Sequence, residues 1–441
     1  MNYSYKQIWH IVYPLLISLF MEHLIGLTDT AFLGRVGEIQ LGASALGGVY
    51  YISIFMLGFG FGIGAQIIMA RRNGEKRYSD IGVILSQGIL FLLFLAAVIF
   101  TVSSIWSPHF LKKVINSPAI YEEALKYLDY RIYGVFFAFI SIMFRAFFVA
   151  TTKTRILTIN SIVMVLSNVV LNYILIFGKF GFPSLGIVGA AIASSAAEGV
   201  SALFFIIYIL IKVDTRKYGF FSHLQPDIKL LSRILGTSIW TMLQSFISLS
   251  TWFVFFVSIE HLGERPLAIT NIVRSISSLL FIIISSFAST ASSLTGNLMG
   301  AGKPEEVMPL YKRITKMCYA FILPLCVLIA LFPTAILRIY TDNNELITSS
   351  VLTLFVMLSS QILNVPSFIL FNTVSGTGNT KSGLAIDLVA LALYITYVIL
   401  VIDILKVNVA ICWTADHAYA IFMFILAYIY MKKAHWQTKR L

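Results

Sequence analysis

Twelve apolar runs, separated by short polar stretches, fill almost the whole of this 441-residue chain. They read as Trp9–Leu33, Ser44–Ala70, Ile81–Trp106, Lys126–Ala150, Ile156–Phe177, Gly186–Ile211, Ile234–Glu260, Leu267–Leu298, Ile314–Phe332, Leu346–Ser375, Ser382–Ile402 and Val407–Met431. About 20 apolar residues in a helix cross a bilayer. Twelve such spans use roughly 240 residues, which leaves no stretch for a separate soluble domain of ordinary size. With 58% apolar and 12% charged residues, the composition excludes a soluble globular protein. The first run is preceded by Lys6 alone and has no small-residue cleavage site, so it reads as a retained helix.

The net charge of +12 does not point to nucleic acid, because the basic residues are scattered between apolar segments instead of forming a stripe. Their distribution reports orientation. With the N-terminus on the cytoplasmic side, 21 Lys and Arg fall on that side, 8 on the other, and Arg131, Arg145 and Arg274 within spans. The positive-inside rule then places both termini in the cytoplasm. Cys318, Cys326 and Cys412 all lie in apolar stretches without metal-ligand spacing, so neither a disulfide framework nor a thiolate metal site is expected.

The long polar connector near the middle divides the chain into residues 1–211, a cytoplasmic connector 212–233, and residues 234–441, with six spans on either side. An offset of 226 pairs Val36-Gly37-Glu38 with Leu262-Gly263-Glu264, Gly74 with Gly300, Leu111-Lys112 with Leu337-Arg338, and Thr154-Arg155 with Thr380-Lys381. One constant offset argues for duplication. An even number of spans per copy gives both copies the same orientation, related by a pseudo-two-fold axis along the membrane normal. The expected fold is therefore an all-α membrane protein of twelve helices in two six-helix lobes, an architecture suited to alternating access.

Several segments carry a resemblance. Gly26-Leu-Thr-Asp-Thr-Ala-Phe-Leu-Gly-Arg-Val-Gly37, Asn168-x3-Asn172-Tyr-Ile-Leu-Ile-Phe-Gly178, Gly186-Ile-Val-Gly-Ala-Ala-Ile-Ala-Ser194, Leu298-Met-Gly-Ala-Gly-Lys303 and Trp413 through Tyr430 closely resemble the multidrug and toxic compound extrusion (MATE) family. The resemblance covers nearly the whole chain. It implies exchange of Na⁺ or H⁺ for organic cations, with no cofactor. It also implies a first-lobe ion site, whose matching positions are Asp29, Asn168, Asn172 and Ser194. Two depart from the pattern: Asn172 stands where Asp is common and Ser194 where Thr is common. The seventh span has no Asp or Glu between Ile234 and Ser258, and Gln244 is its nearest polar candidate, so a second-lobe cation site is not carried over.

The residue types agree independently. Counted from the outer ends of their spans, Asp29, Asn168, Asn172 and Ser194 lie roughly 6–14 Å deep, within one layer, and Asn168 and Asn172 are one helical turn apart. A carboxylate, two amide carbonyls and a hydroxyl form an all-oxygen set that suits a hard cation, and a desolvated carboxylate can carry a proton instead. The plainer alternative is that the Asn pair only hydrogen-bonds between helices. Glu22, two turns before Asp29, and Glu198, one turn beyond Ser194, sit near mid-membrane, where acids usually face a cavity and have a partner. They are candidate proton or cationic-substrate groups, unless Glu22 is held by His23, Arg274 or another internal partner.

Arg131, near a span end, is expected to snorkel. Arg145, Arg274, Asp387 and Asp416 remain open. Aromatics, at 14% of the chain, supply rings suited to flat cations, and Gly58, Gly60, Gly62 and Gly64 read as a packing surface. The expectation is an antiporter of the bacterial inner membrane, acting as a monomer on small organic cations. The rival within transport is a flippase for a lipid-linked saccharide, kept open by Arg145 and Arg274. An enzyme is disfavoured, since no nucleophile–base pairing, metal-ligand helix motif or phosphate-binding loop is present.

Overall fold

The structure is a computed structural model that describes residues 3–115, 117–220 and 225–438. Among these residues the chain is helical, with no strand. Its elements are α1 (Tyr5–Leu33), α2 (Glu38–Gly74), α3 (Tyr78–Val114), α4 (Pro118–Arg131), α5 (Gly134–Ala150), α6 (Arg155–Phe177), α7 (Gly186–Lys212) and α8 (Thr215–Tyr218), followed by α9 (Ile228–Glu260), α10 (Glu264–Gly300), α11 (Val307–Leu331), α12 (Pro333–Arg338), α13 (Asn344–Gly376), α14 (Thr380–Val398), α15 (Val409–Cys412) and α16 (Ala415–Lys433). Among the described residues, eleven helical segments are long and apolar enough to cross a membrane, and the pair α4 and α5, bent by 51°, makes a twelfth. Helices are the natural outcome, since hydrocarbon offers no partner for an unpaired backbone N–H or C=O.

The run read as one span from Lys126 to Ala150 is corrected here: α4 begins at Pro118, behind a Ser117 cap, and the helix breaks after Arg131. The duplication is visible in the backbone. Helices α2 and α10 each run 37 residues between positions 226 apart. Helix α13 occupies the interval that α4 and α5 share in the first half, but without a break, although it contains Pro366. Proline removes an N–H and orphans the carbonyl four residues earlier. That carbonyl, Ile362 O, accepts from the Tyr319 hydroxyl at 2.5 Å.

Two compact units emerge, Ile17–Met242 and Met1–Leu16 with Leu243–Leu441, so that the boundaries fall inside α1 and α9. In the first, the alternating glycines of α2 face two neighbours. A methyl group at Gly58 or Gly62 would strike Phe139 or Ile142 of α5, and one at Gly60 or Gly64 would strike the backbone of α9 at Met242 or Ser238. Packing is thus their role. Helices α6 and α7 also approach closely: a Cβ at Gly189 would stand 2.6 Å from the Leu175 carbonyl. A cluster including Leu33, Ala43, Leu128, Ile176, Ile187 and Ala190 ties the ends of α1, α2, α4, α6 and α7 together. That places Asp29, one turn back from Leu33, against α6 and α7.

Candidate cation site in the first half of the chain

The four residues implied by the resemblance meet in one hydrogen-bonded group. Asn172 Nδ2 donates to Asp29 Oδ1 at 2.5 Å and Asn168 Nδ2 to the same oxygen at 3.2 Å. Ser194 Oγ donates to Asp29 Oδ2 at 2.8 Å. Asn168 also donates to Ser194 Oγ, and Asn172 to Asn168 Oδ1, each at 3.1 Å. Asn168, Asn172 and Ser194 are buried, while Asp29 is only partly so.

Two features of this group bear on its chemistry. Among the described residues no Lys, Arg or His lies within ion-pair distance of Asp29, so its carboxylate is held only by neutral donors. Asn172 Oδ1 is buried without a hydrogen-bond partner. A buried acceptor left unpaired costs about 1–3 kcal/mol. A carboxylate, two amides and a hydroxyl are the residue types that suit a hard cation, although here both amides turn Nδ2 toward Asp29 and Asn168 Oδ1 accepts from Asn172.

Glu22 and Glu198 do not join this group, nor each other; each has its own arginine. Arg145 donates to Glu22 Oε1 at 2.6 Å, and Ser18, itself 2.6 Å from Ser161 Oγ, donates to the same oxygen at 3.3 Å. Arg131 holds Glu198 with two parallel bonds of 2.9 and 2.6 Å. The Tyr51 hydroxyl donates to Glu198 at 2.9 Å, and the Arg131 guanidinium lies 3.6 Å above the Tyr51 ring. The expected snorkelling of Arg131 is therefore corrected: its residue is 8% exposed, because α4 breaks just beyond it and Gly134 leaves room for the guanidinium. Tyr51 was not singled out by the sequence, where it is one of 21 tyrosines. Arg274, proposed as a partner of Glu22, instead lies exposed over the Phe256 ring at 5.0 Å.

In the second unit Asp387 is buried and accepts from Tyr419 at 2.8 Å and Ser248 at 3.2 Å, with Gln244 also bonding to it. Gln244 thus belongs to a polar cluster around an acid of α14 whose role the sequence left open. Asp416 lies within electrostatic reach of Tyr394 and Tyr419.

The fold and these sites define a multi-pass helical membrane protein with a charge-bearing polar site inside its first half. The MatE family model matches residues 14–174 and again 241–400, and the chain belongs to that family. The two matches repeat the internal offset. A relative named probable multidrug resistance protein NorM, from Photorhabdus laumondii, is 25% identical over 392 residues, covering 86% of this chain and 83% of its own. Multidrug resistance protein MdtK of the same organism is 25% identical over 343 residues, covering 76% and 74%. A solved structure described as the outward-facing conformation of a multidrug resistance MATE family transporter matches with a TM-score of 0.89 at 18% identity, covering 97% of this chain and 95% of that one. It has the same fold.

Proposed function

We propose that this protein is a secondary antiporter that exports small organic cations or drugs in exchange for Na⁺ or H⁺ by alternating access. In this reading the lobes are residues 1–211 and 234–441, joined by the connector 212–233. The protein sits as a monomer in a bacterial inner membrane with both termini in the cytoplasm. The multidrug names of its relatives support export, and the excess of Lys and Arg on one side supports the orientation.

The observation that carries the coupling role is the Asp29 carboxylate, bound by three neutral side chains and, among the described residues, by no cation within ion-pair distance, in a group that also holds the unpaired Asn172 carbonyl. An uncompensated carboxylate within a membrane is costly, and a transported Na⁺ or H⁺ removes that cost on binding. Loading would stabilise one arrangement of the helices that meet there, and the ion's release would restore the other. Of the two arginines that kept the flippase reading open, Arg145 is neutralised by Glu22, while Arg274 lies exposed over the Phe256 ring.

The test is accumulation of a fluorescent organic cation in pump-deficient bacteria expressing the wild type, Asp29→Asn or an empty vector at matched levels. Lower accumulation with the wild type alone is expected. Equal accumulation for wild type and vector overturns cation export. Equal lowering by wild type and Asp29→Asn overturns the coupling role of Asp29 and leaves export standing. In proteoliposomes, a Na⁺ gradient at constant pH and a pH gradient without Na⁺ then separate the two ions.

A further inference from the structure

Outside the candidate cation site, the first unit holds a second polar feature, where the end of α2 and the starts of α3 and α9 leave a cavity of about 290 Å³. Ligand pockets for drug-sized molecules are typically about 300–1,000 Å³, and this one stands at the lower edge of that range. Four cations line it, Arg72, Arg77, Lys229 and Arg233, against two acids, Asp80 and Asp227. Two of the cations are already paired, Arg77 with Asp80 and Arg72 with Glu75, each at 2.6 Å. Asp227 caps α9 by accepting from the backbone N–H groups of Lys229 and Leu230 at 3.0 Å each. Lys229 and Arg233, one turn apart and exposed, form no ion pair among the described residues. Phe221, Ser222, His223 and Leu224, the connector residues outside the description, include no carboxylate.

The frame is fixed by hydrogen bonds. Gln87 of α3 donates to the Gln225 carbonyl at 2.8 Å and accepts from the Asp227 N–H at 3.0 Å, so α9 starts at a set place against α3. The rest of the wall is apolar, with Ile68, Val83, Ile84, Leu230 and Ile234. Arg233 stands roughly 8 Å along α9 from its first residue, at the level where a spanning helix leaves the hydrocarbon.

We propose that this cavity binds the phosphate of an anionic phospholipid, with the headgroup at Lys229 and Arg233 and the acyl chains leaving along the apolar wall. Arginine forks match phosphate oxygens, and basic pockets between spanning helices are suited to such headgroups. The apolar wall selects a lipid phosphate over a free one. This site is independent of the transported cation and the coupling ion.

The experiment uses the full chain in detergent, with short-chain phosphatidylglycerol, short-chain phosphatidylcholine and inorganic phosphate as separate probes, and binding read by native mass spectrometry. One phosphatidylglycerol is expected to bind in preference to phosphatidylcholine. The double variant Lys229→Gln/Arg233→Gln should bind it about thirtyfold more weakly, as expected for two basic groups at a membrane surface. Lys229→Arg/Arg233→Lys and the exposed control Lys179→Gln should retain it. Melting curves that match the wild type establish that the variants fold. Equal phosphatidylglycerol binding by wild type and the folded double variant would overturn the proposal. So would inorganic phosphate binding as tightly as the lipid, which would assign the cavity to free phosphate.

Discussion

Glu198→Gln keeps the size of the side chain and removes its charge, leaving Arg131 buried without its counter-ion. The pair is well ordered for a strong effect: two parallel bonds of 2.9 and 2.6 Å, side chains 10% and 17% exposed, and the Tyr51 hydroxyl on the same carboxylate. Breaking a buried pair by removing one partner costs about 3–5 kcal/mol. Because Glu198 keeps some contact with solvent, the lower end, about 3 kcal/mol, is the better figure. The shift is about 2–4 °C per kcal/mol for 150–250 residues and smaller for longer chains, so melting of this 441-residue chain should fall by up to about 6 °C. Thermal unfolding in detergent followed by far-UV circular dichroism reads this. A dye that reacts with exposed cysteine is unsuitable, since Cys318, Cys326 and Cys412 all belong to the other unit. The double variant Arg131→Met/Glu198→Gln removes both charges and should melt above Glu198→Gln alone, because the cost comes from the stranded cation. Additive losses in the double variant, or a Glu198→Gln protein that melts with the wild type, would refute the reasoning.

Three further outcomes test the fold and the site. Gly60→Ala should destabilise by about 1–3 kcal/mol through overpacking, since its methyl would lie 2.5 Å from Met242 Cα and 2.6 Å from the Thr241 carbonyl; Gly48→Ala in the same helix, where no atom lies within 4 Å, should not destabilise. Tyr319→Phe should lower stability by about 1 kcal/mol, by leaving Ile362 O without its donor beside Pro366, and denaturation alongside wild type measures it. Asn172→Ala removes a donor to the Asp29 carboxylate and the unpaired carbonyl together. The concentration of coupling ion giving half-maximal transport in proteoliposomes should change about tenfold, the size of one hydrogen bond to a charged group: it falls if H⁺ is coupled, since the lost donor had favoured the bare carboxylate, and rises if Na⁺ is coupled, since a carbonyl ligand is lost; an unchanged value would remove Asn172 from the ion site.

The spans were legible because hydrocarbon imposes one periodic solution on any long apolar run. Helices α2 and α10 show it well, each found from its run and extended by several residues at both ends. The break between α4 and α5 was not legible. The residues from Lys126 to Ala150 form one window by hydropathy that carries no sign of the break, and what the break permits is tertiary: the Arg131 guanidinium turns into the space left at Gly134 to reach an acid on another helix. The Asp29 group was legible in part from depth and spacing, because Asn168 and Asn172 must share a face. The resemblance, not the spacing, paired them with Asp29 and Ser194. Tyr51 carried no signal, since an aromatic in a span is ordinary until its hydroxyl has a partner.

Charge balance is what separates Glu22 and Glu198 from Asp29. In the sequence Glu22, Asp29 and Glu198 look alike, each a carboxylate in an apolar run with an arginine somewhere in the same half. In the structure two of them are electroneutral pairs with Arg145 and Arg131, while Asp29 is met only by amides and a hydroxyl. A neutral pair can be opened only by stranding a charge, which makes it a poor place to load and unload an ion in every cycle. A carboxylate held by neutral donors changes its net charge when a cation arrives and again when it leaves. The cost of each state then depends on how the surrounding helices and water are arranged, and that dependence is the link an exchanger requires between ion occupancy and conformation. Arg131 already acts on Asp29 through space without bonding to it; placing an arginine in direct ion-pair contact with Asp29 should therefore silence coupling as completely as removing the carboxylate, even with the acid still in place.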